Sequence, residues 1–215
     1  MVAHGTLARL ILAACWLAIL IFESAGAGAE QKVIVFFGDS LTAGYGIEKD
    51  QAFPALIQEK IAARGWRFSV VNAGKSGETS AGGLRRLDWV LKNRVDVLVL
   101  ALGGNDGLRG IPTAETERNL QAIIDRTRQK YPNVKIVLAG MRVPPNLGEA
   151  YAREFRRVYA ALARKNGCPL IPFLLDGVGG VRELNLPDGI HPTAEGHKII
   201  AGNVWKVLEP VLAGL

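Results

Sequence analysis

From Lys32 onward the chain alternates between two textures of apolar and polar positions. Short β-branched, apolar runs occur at 32–37 (KVIVFF), 67–73 (RFSVVNA), 96–103 (DVLVLALG), 135–141 (KIVLAGM) and 169–174 (PLIPFL). Between them, at 53–65, 81–94, 113–131 and 149–167, apolar and charged residues mix in the pattern of amphipathic helices, and a last such stretch, 193–212, closes the chain. Helix ends are marked as local chemistry requires. Thr113, Thr116 and Glu117 form a polar, acidic first turn, Gly65 and Gly167 stand where C-caps belong, and Pro132 follows a helix end. The strands read as unbroken apolar runs, which predicts burial on both faces. Five strand–helix units in alternation predict a parallel sheet with helices on both sides, joined by right-handed crossovers. No internal repeat, low-complexity linker or second domain interrupts residues 30–215, so the expected fold is one three-layer α/β/α sandwich with a five-stranded parallel sheet.

The N-terminus has a different pattern. Residues 10–22 (LILAACWLAILIF) are apolar throughout, preceded by Arg9 and followed by a small-residue Ala27-Gly28-Ala29 site. The run is shorter than the roughly 20 apolar residues a spanning helix needs. It is read as a signal peptide, residues 1–29, cleaved near Glu30, with a periplasmic or secreted product; an uncleaved anchor is the alternative. The segment ending at Cys15 (LAAC) imitates a lipoprotein processing site, but the apolar run continues past the cysteine, which argues against lipidation.

Composition narrows the picture further. With 49% apolar and 21% charged residues, the 215-residue chain has the balance of an ordered globular protein. Its two cysteines are Cys15 and Cys168, so trimming the leader leaves Cys168 alone and no internal disulfide. Cys168 enters a strand with no Cys or His pattern around it and reads as a small buried thiol. The net charge of +6 is spread along helix faces, without the aromatic-interleaved basic run that nucleic-acid binding would suggest. The expected partners are small molecules, with no nucleic acid, no stable membrane span, and the chain acting as a monomer.

Ligands of open α/β sheets gather beyond the carboxyl ends of the strands. The first strand runs into Gly38-Asp39-Ser40, the second into a glycine-rich stretch holding Gly77, and the third into Gly103-Gly104-Asn105-Asp106. After the fifth strand and a long loop comes Asp188-Gly189-Ile190-His191-Pro192. Taken singly, each is ordinary turn chemistry. Together they supply a hydroxyl, a base, a carboxylate three residues from that base, and several hydrogen-bond donors at one sheet edge. Of the three histidines, His4 leaves with the leader and His197 lies within the last helix, where a structural or surface role is expected. His191 remains as the base, with Asp188 to hold its tautomer and Ser40 as nucleophile. Asn105, with the Ser40 and Gly77 N–H groups, would form an oxyanion hole. Asp39 and Asp106 are expected to bond turn backbone. The chain lacks a G-x-S-x-G elbow, a phosphate loop, a dinucleotide fingerprint and a zinc-spaced cluster, and the chemistry requires no metal or organic cofactor.

The four stretches FGDSL, GKSGETS, GGNDGLRG and DGIHP, in that order, resemble the blocks of the SGNH, or GDSL-type, hydrolase superfamily. Longer stretches, GDSLTAGYG, GGNDGLRG and MRVPPNLGEAY, are most similar to its bacterial periplasmic acyl-CoA thioesterase/lysophospholipase (arylesterase) group. The resemblance implies a flavodoxin-like sandwich and hydrolysis of carboxylic esters and thioesters over a broad acyl range, lysophospholipids included. It also implies that the segment from Asp106 to Ile111 lines an acyl groove. Leu108, Ile111, Val143 and Pro144 are the apolar residues expected to bind substrate. Two alternatives stay open from the sequence: an envelope carbohydrate O-acetylesterase on the same machinery, and an inactive binding module.

Overall fold

The computed structural model describes residues 30–144 and 147–215; the leader at 1–29, with its proposed cleavage site, Cys15 and His4, lies outside the described residues. The unit Lys32–Leu215 is built on five strands: β1 (Lys32–Gly38), β2 (Phe68–Gly74), β3 (Val97–Ala101), β4 (Lys135–Ala139) and β5 (Leu170–Ile171). All pair in parallel, in the order β2-β1-β3-β4-β5. The chain runs outward from β1 to β2 and then crosses back to β3, so the direction of winding reverses between β1 and β3. Gly38 pairs with Gly74 on one side and Ala101 on the other, which brings three strand ends level at that reversal. This is the crevice where such sheets bind ligands.

The helices are α1 (Ser40–Ala43), α2 (Phe53–Ala63), α3 (Ser80–Val90), α4 (Gly104–Leu108), α5 (Thr113–Lys130), α6 (Glu149–Asn166) and α7 (Ala194–Ala213). α2 packs on α7, while α5 packs on both α3 and α6. The central strands behave as their sequences predict: every residue of β3 is buried, as are Ile34 to Phe37 of β1.

The outer strands do not. β2 is an edge strand, and Val71 is 45% exposed, so its apolar run is not buried on both faces. Gln58 of α2 covers part of that edge, accepting the Val70 N–H (2.8 Å) and donating to the Phe68 carbonyl (3.2 Å). β5 has only two residues where 169–174 was expected. Pro169 and Pro172 bracket it and have no N–H to donate to a ladder. Their neighbourhood still serves as acceptor, since the Leu138 and Gly140 N–H groups reach the Pro169 and Ile171 carbonyls at 2.9 and 2.8 Å.

His197 is a core residue, 1% exposed. Its Nδ1 accepts the Phe53 N–H (3.1 Å), an otherwise orphan donor in the first turn of α2, whose N-cap Ala52 has no side chain to offer. The ring stacks on Phe53, and burial pushes its pKa down to about 4. Cys168 is buried too, and desolvation raises its thiol pKa.

Candidate active site

β1 delivers Ser40 by stopping at a residue that only glycine can fill. A Cβ on Gly38 would collide with the Thr42 side chain and the Ala101 carbonyl. Asp39 then caps the four-residue helix α1, its Oδ1 accepting the Leu41 N–H at 3.0 Å. Ser40 is the first residue of that helix, so its own N–H has no intrahelical acceptor. The periodicity of so short an element is invisible in sequence, and the stretch reads there as a turn.

The partner of Ser40 comes from the far end of the chain. His191 Nε2 lies 3.0 Å from Ser40 Oγ, and Nδ1 lies 2.7 Å from Asp188 Oδ2. Asp188 Oδ1 accepts the Ile190 and His191 N–H groups, both at 3.0 Å. The bond from His191, joined by those two backbone donors, holds the Asp188 carboxyl down at about 2. An ionised carboxylate can only accept, so Nδ1 carries the imidazole proton and Nε2 is left to accept the Ser40 hydroxyl. The turn is fixed at its base. The Leu186 N–H donates to the His191 carbonyl (2.7 Å), and the Thr193 N–H to the Leu184 carbonyl (2.9 Å). Buried Asn185 donates to the Val178 and Val181 carbonyls, both at 2.7 Å, anchoring the loop that leads in. Tyr45 rests against the imidazole with ring centroids 4.5 Å apart.

Asn105 reaches the same edge from α4. Its Nδ2 donates to the Glu78 carbonyl at 3.0 Å and to Asp39 Oδ2 at 3.3 Å. Gly77, with φ +75°, turns the chain just before Glu78, and Arg109 donates to the Gly77 carbonyl at 3.0 Å. Asp39 therefore does more than hold its turn: it bridges the helix that begins at Ser40 to Asn105. Burial pushes the Asp39 carboxyl up to about 6 despite the Leu41 N–H and the nearby His191. Asp106 is fully buried and binds the start of α3, accepting the Ser80 N–H (2.8 Å) and the Ser80 hydroxyl. No group of three or more His, Cys, Asp and Glu among the described residues is arranged to hold a metal ion.

Residues 36–199 match the GDSL-like lipase/acylhydrolase family. The chain belongs to that family. It is 39% identical to Esterase TesA of Pseudomonas aeruginosa over 94% of this chain and 98% of that protein. It is 37% identical to Thioesterase 1/protease 1/lysophospholipase L1 of Escherichia coli, covering 92% and 91% of the two chains. The crystal structure of TesA superposes with a TM-score of 0.80 at 40% identity, over 83% of this chain and 99% of that one.

The GDSL-like site opens into a cavity of about 540 Å³, a size typical of small-ligand pockets. Leu108, Val143 and Pro144 line it, together with Phe173, Leu175 and Ile190, which sequence reasoning did not single out. No local pattern marks the last three; they reach the cavity only through the long course of the 172–190 loop. Ile111 is not among the lining residues. Gly110, at φ +65°, turns the chain, and the Ile111 N–H bonds back to the Asp106 carbonyl (3.0 Å) while its own carbonyl accepts from Tyr151 (2.7 Å). Among the described residues, no helix is long and apolar enough to cross a membrane.

Proposed function

We propose that this chain hydrolyses carboxylic esters and thioesters with Ser40 as nucleophile, His191 as general base and Asp188 as the group that orients it. The observation that carries the reading is the unbroken run of contacts from Ser40 Oγ to His191 Nε2 (3.0 Å) and from His191 Nδ1 to Asp188 (2.7 Å). His191 takes the Ser40 proton as Oγ attacks the acyl carbonyl, and Asp188 stabilises the imidazolium. The oxyanion is received by the Ser40 and Gly77 N–H groups and the Asn105 amide, whose longer contact, to Asp39, gives way to it. His191 then protonates the departing alcohol or thiol, leaving an acyl-enzyme, and water repeats the sequence to release the acid.

The relatives' names, esterase and thioesterase/lysophospholipase, support acyl esters and thioesters as the substrate class. The apolar side chains of Leu108, Val143, Pro144, Phe173 and Leu175 around the cavity support an acyl chain as the group bound there. The apolar run at 10–22 and the small-residue site at 27–29 support a cleaved leader and a periplasmic or secreted enzyme, which N-terminal sequencing of exported protein, expected to begin near Glu30, would test. The enzyme is read as a monomer, which sedimentation would test. The direct test of function assays the chain from Glu30, beside Ser40→Ala, on p-nitrophenyl esters and matching acyl-CoA thioesters of increasing length. Turnover present in the native chain and absent in Ser40→Ala supports the reading. Equal turnover in both would remove Ser40 from the chemistry.

A further inference from the structure

The loop carrying Gly77 is held from beneath by a buried ion pair that the catalytic steps leave unused. Glu78 has only 3% of its side chain exposed, and Arg86, two turns into α3, has 17%. Arg86 Nε donates to Glu78 Oε2 at 2.5 Å. Its Nη2 donates to the Ala73 carbonyl of β2 at 2.7 Å and approaches the Gly38 carbonyl of β1 at 3.4 Å. The guanidinium carbon lies 4.6 Å from the centre of the buried Phe37 ring. One planar cation thus joins the ends of β1 and β2 to the segment between Gly77 and α3, a geometry for which the arginine fork is suited and an ammonium is not. Two of the three tethered points adjoin groups of the site. Gly38 precedes Asp39-Ser40, Glu78 follows Gly77, and the Glu78 carbonyl holds the Asn105 amide (3.0 Å). The other cation near Glu78, Lys75, is 68% exposed and 3.9 Å away, so it adds little.

We propose that Arg86 is a positioning residue for hydrolysis: with Glu78 it fixes the oxyanion-binding groups, Gly77 and Asn105, relative to the strand that ends at Ser40. The inference rests on the reading of those groups as the oxyanion hole. Buried ion pairs are poor stabilisers, and apolar pairs of similar volume commonly replace them without loss of stability. The pair's value at this sheet edge is therefore geometric, where displacement by about 1 Å can cost around 10²-fold in rate.

The test compares the native enzyme with Glu78→Met/Arg86→Met, Arg86→Lys, Asn105→Ala and the triple combination, on a p-nitrophenyl ester. The paired methionine variant removes both charges and is expected to unfold at a temperature close to that of the native chain. Its kcat is expected to fall by about tenfold to 10²-fold with KM changed less than about threefold. Inhibition by an alkylboronic acid, which becomes tetrahedral on serine, should weaken by the same factor as kcat/KM, while inhibition by the product acid stays the same. Arg86→Lys, which keeps the charge but not the fork, should lie between, and it serves should the methionine pair fail to fold. In an Asn105→Ala background the added loss should shrink by at least about threefold, because both changes act through one structure. A folded variant, of either kind, with native kcat and boronate affinity overturns the proposal. So does a loss of equal size with and without Asn105. If Asn105→Ala itself keeps full kcat, the oxyanion reading fails and the proposal falls with it; if Asn105→Ala is impaired and the Arg86 variants are not, this proposal alone falls.

Discussion

Asp188 and His191 lie three residues apart, yet their pairing depends on more than spacing. Two backbone N–H groups and the imidazole N–H all converge on one carboxylate, which keeps it ionised down to about 2. That carboxylate dictates which imidazole nitrogen faces Ser40. Asp188→Asn retains the shape but can offer its NH₂ to Nδ1, and this selects the tautomer whose Nε2 carries a proton and cannot accept one. The expected result is a fall in kcat of about 10⁴-fold with KM little changed. Steady-state kinetics on a p-nitrophenyl ester checks it, and a loss below about tenfold would make Asp188 a turn residue only. Asn105→Ala removes one of the proposed oxyanion donors and should lower kcat by roughly 10²–10³-fold, again with little change in KM. An unaltered kcat would take Asn105 out of the mechanism.

At the scale of elements, α4 shows how a strand end is aimed. Gly103 precedes the helix at φ +108°, and a Cβ there would strike the Tyr159 hydroxyl, which donates to the Leu102 carbonyl at 3.0 Å. Gly103→Ala should therefore cost about 1–3 kcal/mol for backbone strain, with the clash added to it. Tyr159→Phe alone should cost about 1 kcal/mol for the lost bond. The double variant should be less destabilised than the sum, since the second change makes room for the first. Urea unfolding of the four proteins measures this coupling, and strict additivity would rule out the Tyr159 contact as the reason for glycine. Such contacts explain where sequence stops informing. β1, β3 and β4 were legible because strands buried on both faces are apolar nearly throughout. The positions of Ser40 and Asn105 were legible because turn chemistry at strand ends is local, and the pairing of Asp188 with His191 because the two lie three residues apart. The edge position of β2 was not legible, since Val70 and Val71 look like core residues until a neighbour is missing. The four and five residues of α1 and α4 are too few to show a period. The bridge from Asp39 to Asn105 and the clasp of Arg86 on Glu78, Ala73 and Gly38 join residues that only the crossovers bring together.

For the whole molecule, two buried groups on different elements set opposing responses to acid. His197 holds its proton only below about 4, against an ordinary 6.5. As pH falls from 6.5 to 4, the unfolded chain gains a proton that the folded chain refuses, and stability drops by roughly 3 kcal/mol on this account. Asp39 acts in reverse. Its carboxyl, raised from 3.8 to about 6, takes a proton in the folded chain before the unfolded chain does, so its contribution is complete below 3.8 and lost as pH rises through 6. The two slopes share a window and are similar in size, so the native chain should show little change in stability between pH 6.5 and 4. Removing either group should expose the other. Asp39→Asn retains a side-chain oxygen for the Leu41 N–H but sets two amide groups facing each other at Asn105, a cost that does not vary with pH. Its stability should then fall by roughly 3 kcal/mol from pH 6.5 to 4, through His197 alone. His197→Gln, which can still accept the Phe53 N–H, should grow more stable over the same interval. Urea, being uncharged, permits unfolding midpoints to be compared across the range without altering ionic strength. Curves for Asp39→Asn and the native chain that run parallel would show that Asp39 does not titrate there, and a flat profile in both variants would dismiss the opposition altogether.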